Sequence, residues 1–175
     1  MTFRVTRAVP AFLVLVACAI GTPLRAPAQE APTIGPDSLL PLPRYVSIRG
    51  DRARARRGPS RDQKIDWEYV RQGLPLRITA EYDNWRRVED FEGQGGWMHK
   101  SLLSNVRTGL VQGDGLVTVL DDPEDGAEIL ANAEPGAVLR LRECGPDWCE
   151  VSAQGVEGWL RREALWGIDP GEVID

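Results

Sequence analysis

Apolar and polar residues alternate with a period of two in two well-separated segments of the chain. Leu76 and Ile78 alternate with Arg77 and Thr79, and residues 139–142 repeat the pattern. A period of two is typical of a β-strand with one buried face. Groups of Gly, Pro, Asn and Asp separate such segments, and no window has a sustained helical period with caps. The pattern therefore predicts an all-β protein built as a small barrel or sandwich.

The two alternating segments belong to an internal repeat. Residues 73–78 align with residues 136–141 at an offset of 63. The positions that continue the alignment, with one extra residue in the first copy, are 84–88 with 147–151, 96–98 with 158–160, and Leu103 with Leu165. Two copies are too few for a solenoid, and a unit of about 60 residues is too long for a solenoid repeat. The repeat predicts two tandem domains.

The N-terminal region has the three parts of a secretion signal. Arg4 and Arg7 supply positive charge, and Ala8 to Ile20 is an uncharged, mostly apolar run of 13 residues. Such a run is too short for a membrane span, which needs about 20 residues. Ala26-Pro27-Ala28 follows as a small-x-small cleavage pattern. These features predict export with cleavage after Ala28, to a periplasmic or secreted location.

A second possibility for the N-terminus stays open. Leu15-Val16-Ala17-Cys18 resembles a lipobox, in which Cys18 is lipidated and becomes the mature N-terminus. The protein would then be anchored to the envelope, and a membrane partner is expected only in that case.

The remaining chain divides into a tether and two domains. Residues 29–43 carry four prolines, which block helix and sheet ladders, and read as an extended tether after the signal at residues 1–28. We place the first domain at residues 44–108 and the second at residues 109–175.

Charge is distributed unequally between these domains. The chain has a net charge of −5, and loss of the three signal arginines makes it −8. Residues 44–108 have a net charge of +5, whereas residues 109–175 have −11. Such contrast indicates two different electrostatic surfaces and predicts weak, salt-sensitive docking between them. An exported acidic protein is not expected to bind nucleic acid.

Several short motifs resemble the bacterial SH3 domain family. They are Arg54-Ala55-Arg56-Arg57-Gly58-Pro59-Ser60, Asn84-Trp85, Gly96-Trp97-Met98-His99 and Ser101-Leu102-Leu103 in the first copy, and Asp147-Trp148, Gly158-Trp159-Leu160 and Ala164-Leu165-Trp166-Gly167 in the second. The second copy has Leu120-Asp121-Asp122-Pro123 in place of the Arg-x-Gly-Pro segment.

The resemblance implies two SH3-like β-barrels of the stand-alone exported type. Such domains bind cell-wall peptides or other protein segments, and no cofactor is expected. We therefore predict a cell-envelope binding module that recognises a peptide, a protein segment or a peptidoglycan component. The alternative is a structural accessory of an envelope complex, acting through dimerisation or scaffolding.

The residue inventory argues against catalysis and against a metal site. His99 is the only histidine, and no nucleophile-elbow motif accompanies it. If Cys18 leaves with the signal, Cys144, Cys149 and His99 are one short of the four ligands of a typical zinc site. We expect no enzyme activity.

Cys144 and Cys149 flank a Gly-Pro-Asp-Trp turn between two predicted strands. Exported compartments are oxidising, which favours a structural disulfide across the turn. A free redox pair is the competing interpretation, although the spacing is not Cys-x-x-Cys.

Aromatic and basic residues of the first domain are the candidates for binding. Alternation places Trp85 opposite Val88, the natural core residue, so we expect the Trp85 ring to be at least partly exposed. An aromatic groove is one interpretation, and rings that seal the barrel ends are the other. We expect Trp97 and Trp159 in the cores. The candidate ligand-binding residues are Trp67, Tyr69, Tyr82, Asp83, Trp85, Arg54 and Arg56.

The run from Arg52 to Arg57 carries a charge at nearly every second residue. In a strand, Arg52, Arg54 and Arg56 share one face. This face either attracts an acidic partner or is a solvated edge protected from aggregation by its charge.

Overall fold

The computed structural model describes residues 33–175, and strands make up most of this part of the chain. Two short strands, β1 (Thr33–Ile34) and β2 (Pro41–Leu42), come first. The next set is β3 (Arg44–Ile48), β4 (Ala53–Arg56), β5 (Ile65–Tyr69), β6 (Pro75–Tyr82), β7 (Trp85–Glu89), β8 (Gly95–His99) and β9 (Leu103–Ser104). The last set is β10 (Thr108–Val111), β11 (Val117–Leu120), β12 (Ile129–Ala133), β13 (Val138–Cys144), β14 (Trp148–Ala153), β15 (Val156–Arg161) and β16 (Leu165–Trp166).

Each of the two larger sets forms one antiparallel sheet around its own apolar core. The strand order is β5-β4-β8-β7-β6-β3-β9 in the first barrel and β12-β11-β15-β14-β13-β10-β16 in the second. A one-turn 3₁₀ helix precedes the last strand of each barrel, at Lys100–Leu102 and at Arg162–Ala164. Every strand of the first barrel thus has a counterpart in the second. The predicted all-β fold with two tandem units is confirmed.

Alternation identifies the core side of the central strands correctly. Leu76 and Ile78 in β6 are 0% and 1% exposed, and Leu139 and Leu141 in β13 are also buried. Their charged neighbours point away from the cores, as expected for a pleated strand.

The expectation that Trp97 and Trp159 are core residues is wrong. The residues after them, Met98 and Leu160, are fully buried, and both tryptophans are half-buried. A Cβ on Gly96 would lie 2.6 Å from a backbone oxygen of β4, so only glycine allows β8 to approach β4 this closely. This close approach fixes which residues of β8 face the core, and the side chain of the next residue, Trp97, points outward.

The segment before the first barrel is not a simple tether from residue 33 onward. β1 pairs with β2 to form an N-terminal hairpin, and Pro41 is tolerated there because β2 is at a sheet edge. The backbone N–H groups of Asp37 and Ser38 donate to the Glu81 carboxylate of β6. The hairpin is therefore attached to the first barrel. The predicted signal at residues 1–28 and residues 29–32 lie outside the described residues.

The two barrels pack directly on each other. The Tyr45 and Trp166 rings meet edge to face with centroids 5.1 Å apart, and Phe91 lies 6.5 Å from Trp166. The Thr108 hydroxyl donates to the Gly73 carbonyl. This contact is aromatic and hydrogen-bonded, which differs from the expected charge-driven docking. Electrostatic attraction does not predict such packing, because net charge carries no information on shape.

The tip of the β13–β14 hairpin carries a covalent link. Cys144 and Cys149 lie directly opposite each other and form the predicted disulfide. On the outer side of β13, Ile174 pairs with the Cys144 backbone in a β-bridge. The C-terminal segment is thereby fixed to the second barrel. Between residues 33 and 175, no helix is long and apolar enough to cross a membrane.

Candidate ligand-binding cleft

The basic run of the first barrel forms one face of β4. Ala53 and Ala55 are 2% and 0% exposed and point into the core. Arg54 and Arg56 alternate with them on the outer side, and Arg52 directly precedes the strand. Small alanines on the inside allow close packing, while the outer face collects the charge.

This face borders a cleft of about 510 Å³. We call it the arginine cleft; its lining residues are Arg52, Arg54, Arg56, Arg61, Trp85, His99, Ser101 and Leu102. Three of the predicted candidates, Arg54, Arg56 and Trp85, therefore meet in one place. Arg61 comes from the loop after β4, and His99 from the end of β8.

Trp85 is more buried than predicted, with 9% of its surface exposed. Its cross-strand partner is His99, whose ring stands edge to face on the indole at a centroid distance of 5.5 Å. Alternation fails here because both faces of β7 are covered at this end. The next residue, Arg86, is also buried, beside Glu81 under the N-terminal hairpin. Trp85 thus contributes a packed apolar wall to the cleft rather than a free ring.

His99 and Ser101 make a local contact at the end of β8. The Ser101 hydroxyl lies 2.7 Å from His99 Nδ1, and the Ser101 backbone N–H donates to the same nitrogen. This arrangement caps the 3₁₀ helix that follows β8. It fixes the His99 ring at the cleft.

The cleft has an excess of positive charge. Glu68 lies 2.6 Å from Arg54 and 3.5 Å from Arg52, and the Arg54 hydrogen bond lowers the pKa of the Glu68 carboxyl. Arg56 donates to the Gln63 carbonyl instead. Among residues 33–175, no carboxylate lies within 4.0 Å of the Arg56 or Arg61 guanidinium. Two of the four guanidinium groups thus share the Glu68 carboxylate, and the other two have no carboxylate partner among residues 33–175.

The remaining predicted aromatic residues do not extend this cleft into a groove. Tyr69 is 4% exposed, because it lies opposite the core residue Ala53 of β4. Its hydroxyl donates to the Gln94 carbonyl. Trp67 lines a neighbouring cleft of about 880 Å³, which meets the arginine cleft at Arg56. Tyr82 and Asp83 are exposed on the β6–β7 turn, where Asp83 has a positive φ of 51°.

Sequence reasoning missed Arg61, His99, Ser101 and Leu102 as cleft residues. His99 is the last residue of β8, and Ser101 and Leu102 follow it; β8 reaches the cleft because it lies between β4 and β7 in the sheet. No local pattern reveals such a juxtaposition. A group of three or more His, Cys, Asp or Glu side chains suited to a metal ion is not found in the part of the chain that the structure describes.

Two small antiparallel barrels with the same strand order, each ending in a 3₁₀ turn and a short strand, define the class as a tandem β-barrel protein. The family model of the bacterial SH3 domain matches the sequence twice, over residues 49–105 and 113–167. Together these matches cover more than half of the chain, and the chain belongs to the bacterial SH3 domain family.

Two solved structures are similar to this chain at a distance. NlpC2 from Trichomonas vaginalis shares 10% identity with a TM-score of 0.33, over 71% of this chain and 48% of that structure. NlpC1 from the same organism has the same identity and TM-score, over 75% of this chain and 48% of that structure. The chain thus spans about half the length of these proteins. At this similarity nothing about activity follows. The sequence matches no curated protein.

Proposed function

We propose that this protein is an exported, non-catalytic binding module of the cell envelope. Its ligand is a peptide, a protein segment or a peptidoglycan component, and its site is the arginine cleft of the first barrel. Bacterial SH3 domains are typically binding modules for cell-wall components, which supports the ligand class. A disulfide in the second barrel agrees with an oxidising, extracytoplasmic location.

The cleft itself carries this proposal. It combines four arginines with Trp85, and Trp and Arg dominate the energetics of protein recognition sites. Trp85 is already packed against His99, so binding needs little ordering of the indole.

Retention on envelope material tests the proposed function. The purified protein is incubated with isolated cell-wall sacculi and, separately, with an envelope protein extract. We expect retention that falls at least about tenfold in Arg56→Ala/Arg61→Ala, because two uncompensated cations are lost from the cleft. Arg87→Ala is the matched control, since Arg87 is an exposed arginine of the same barrel outside the cleft. Retention that is absent, or equal in all three proteins, contradicts the proposal.

The intact mass of the exported protein tests the proposed processing. A mass that matches a chain beginning at Gln29 supports cleavage after Ala28. A lipid-modified N-terminus at Cys18 supports the anchored form instead.

A structural accessory is the second candidate, and the charge contrast between the domains favours it. The net charges of +5 and −11 allow head-to-tail association of two copies. Sedimentation at low and high salt tests this candidate. A monomer at low salt would contradict it.

A further inference from the structure

The β4–β5 loop of the first barrel and the β11–β12 loop of the second barrel align residue by residue. Residues 57–64 join β4 to β5, and residues 121–128 join β11 to β12. Both loops are closed by the same backbone hydrogen bond between their first N–H and last carbonyl, at 3.0 Å. Both also have a proline at the third position. This alignment places Arg61 of the first barrel at the position of Asp125 in the second.

The charge of the loop is inverted between the barrels. The aligned pairs of opposite charge are Arg57 with Asp121, Arg61 with Asp125, and Lys64 with Glu128. The two loops share their length and their closing hydrogen bond, so the inversion mainly changes the charge that each loop attracts.

The second barrel supplies its own carboxylate at the equivalent position. Arg161 lies over the Trp148 ring with its guanidinium carbon 4.1 Å from the centroid, and it forms an ion pair with Asp125. Trp148 and Arg161 are cross-strand partners, as Trp85 and His99 are in the first barrel. This site therefore consists of a tryptophan ring, a basic group and an internal carboxylate.

The first barrel has the wall and an excess of basic groups but lacks that carboxylate. Arg61 stands where the second barrel has Asp125. By strand register, the positions of Arg54 and Arg56 are taken in the second barrel by Thr118 and Leu120. Glu68 lies beside Arg52 and Arg54 only, and Arg56 and Arg61 are left for an external anion.

We infer that the arginine cleft binds a carboxylate group of a peptide ligand, in the role that Asp125 fills within the second barrel. This inference rests on the proposed function and specifies its ligand class. Guanidinium groups bind carboxylates through charge-assisted hydrogen bonds, while Trp85 and Leu102 offer apolar surface to the adjoining part of the ligand. Acidic segments of proteins and the stem peptides of peptidoglycan share this chemistry.

Paired probes with and without carboxylates test the inference. The probes are an Asp-Gly repeat peptide with a free C-terminus, its Asn-Gly counterpart with an amidated C-terminus, and soluble peptidoglycan fragments with free or amidated stem carboxylates. Calorimetry with the purified protein should show the carboxylate form of one pair binding at least about tenfold more tightly than its amide form. The pair that shows this difference identifies the source of the carboxylate.

Two variants locate the binding. Arg61→Asp/His99→Arg recreates the closed arrangement of the second barrel and should abolish the preference for carboxylate. Arg61→Gln removes one exposed cation without touching Trp85 and should weaken carboxylate binding several-fold, with an unchanged circular dichroism spectrum. Arg87→Ala is the control and should bind like the wild type.

The outcomes separate the two proposals. If amide and carboxylate forms bind equally, or if both cleft variants keep the preference, the inference is overturned. The proposed function still stands in that case if sacculi or envelope extract retain the protein through Arg56 and Arg61. Loss of that retention overturns the proposed function itself.

Discussion

The Glu81 carboxylate has no exposed surface, and four hydrogen-bond donors surround it. Arg44 lies 2.7 Å away and Arg86 3.3 Å away, and two backbone N–H groups of the N-terminal hairpin complete the shell. Burial alone would raise the pKa of Glu81, but the hydrogen bonds from Ser38 and Arg44 outweigh it and lower the pKa from 4.5 to about 2. The residue is therefore an ionised group on which the hairpin and the barrel both depend.

This lowered pKa predicts an acid-dependent loss of stability. The contribution of Glu81 is complete above its unfolded-state pKa of 4.5 and is lost as the pH falls through the folded value of about 2. Chemical denaturation between pH 5 and 2 should show the free energy of unfolding falling in wild type and changing less in Glu81→Gln. At pH 7 the same variant should lose about 3 kcal/mol, because it leaves the buried Arg86 and the partly buried Arg44 without their carboxylate.

Glu68→Gln is the control for that experiment. Glu68 also pairs with arginine but is solvent-accessible, and exposed ion pairs add little to stability. Equal losses of stability in Glu68→Gln and Glu81→Gln would contradict the role given to Glu81.

At the scale of single residues, sequence patterns identified the arginine face but not the depth of the aromatic residues. The two-residue spacing of Arg52, Arg54 and Arg56 was sufficient, because a strand has only two faces. The burial of Trp85 and Tyr69 depends on which strands lie beside them. That information is in the pairing of β7 with β8 and of β4 with β5, and it is not local.

The β6–β7 and β13–β14 hairpins each have a buried cross-strand pair at the same aligned positions, and the two pairs differ in chemistry. Glu81 lies opposite Arg86, and at the aligned positions Cys144 lies opposite Cys149. Both pairs are buried, and a chain-terminal segment covers each of them. A buried ion pair in one barrel thus occupies the place of a disulfide in the other.

This equivalence predicts that the first barrel accepts a disulfide at the same place. Glu81→Cys/Arg86→Cys should oxidise completely in the folded state, because directly opposed residues of an antiparallel pair are close enough to be bridged. The oxidised form should unfold at a higher temperature than its reduced form. Thiol labelling before and after reduction measures the bond.

The matched control is Glu81→Ser/Arg86→Ser, which removes the ion pair without offering thiols. Its melting temperature should not respond to reductant beyond the response of Cys144–Cys149 alone. Two labelled thiols in the oxidised, folded cysteine variant would show that the hairpins are not equivalent.

At the scale of elements, the repeat made most of the architecture predictable. The alignment at an offset of 63 places β6 on β13 and β7 on β14, as the structure has them. The N-terminal hairpin was not predictable, because the contacts that attach it to the barrel, from the Asp37 and Ser38 N–H groups to Glu81, join residues far apart in sequence.

The packing of one barrel on the other predicts an unusual tyrosine. Burial raises the pKa of Tyr45 to about 12, and the nearby Asp169 carboxylate adds to the shift. The neutral hydroxyl contributes stability below the unfolded-state pKa of 10.0, and this contribution is lost as the pH rises toward 12. Trp166→Ala should expose Tyr45 and move its ionisation toward pH 10. Ultraviolet difference absorbance against Tyr45→Phe isolates this transition.

Trp97→Ala serves as the control, since Trp97 is half-buried in the first barrel and its strand neighbours are Arg56 and Arg87. It should leave the Tyr45 transition in place. A Tyr45 transition near pH 12 in Trp166→Ala would mean that the barrels do not depend on this contact.

The N-terminal hairpin also has a mechanical consequence for a protein held at that end. Tension entering at Thr33 reaches β1 first, and β1 pairs with β2 over only two residue pairs, which peel apart one after the other. The Glu81 bonds come next, and the barrel core is strained only after both have yielded. Single-molecule pulling should show a first extension of roughly 35 Å, the length of 11 residues, before the barrel unfolds. Glu81→Gln should release this length at lower force, and a single rupture without the first step would contradict the order. The hairpin is then a stored length of chain that can be released while both barrels remain folded.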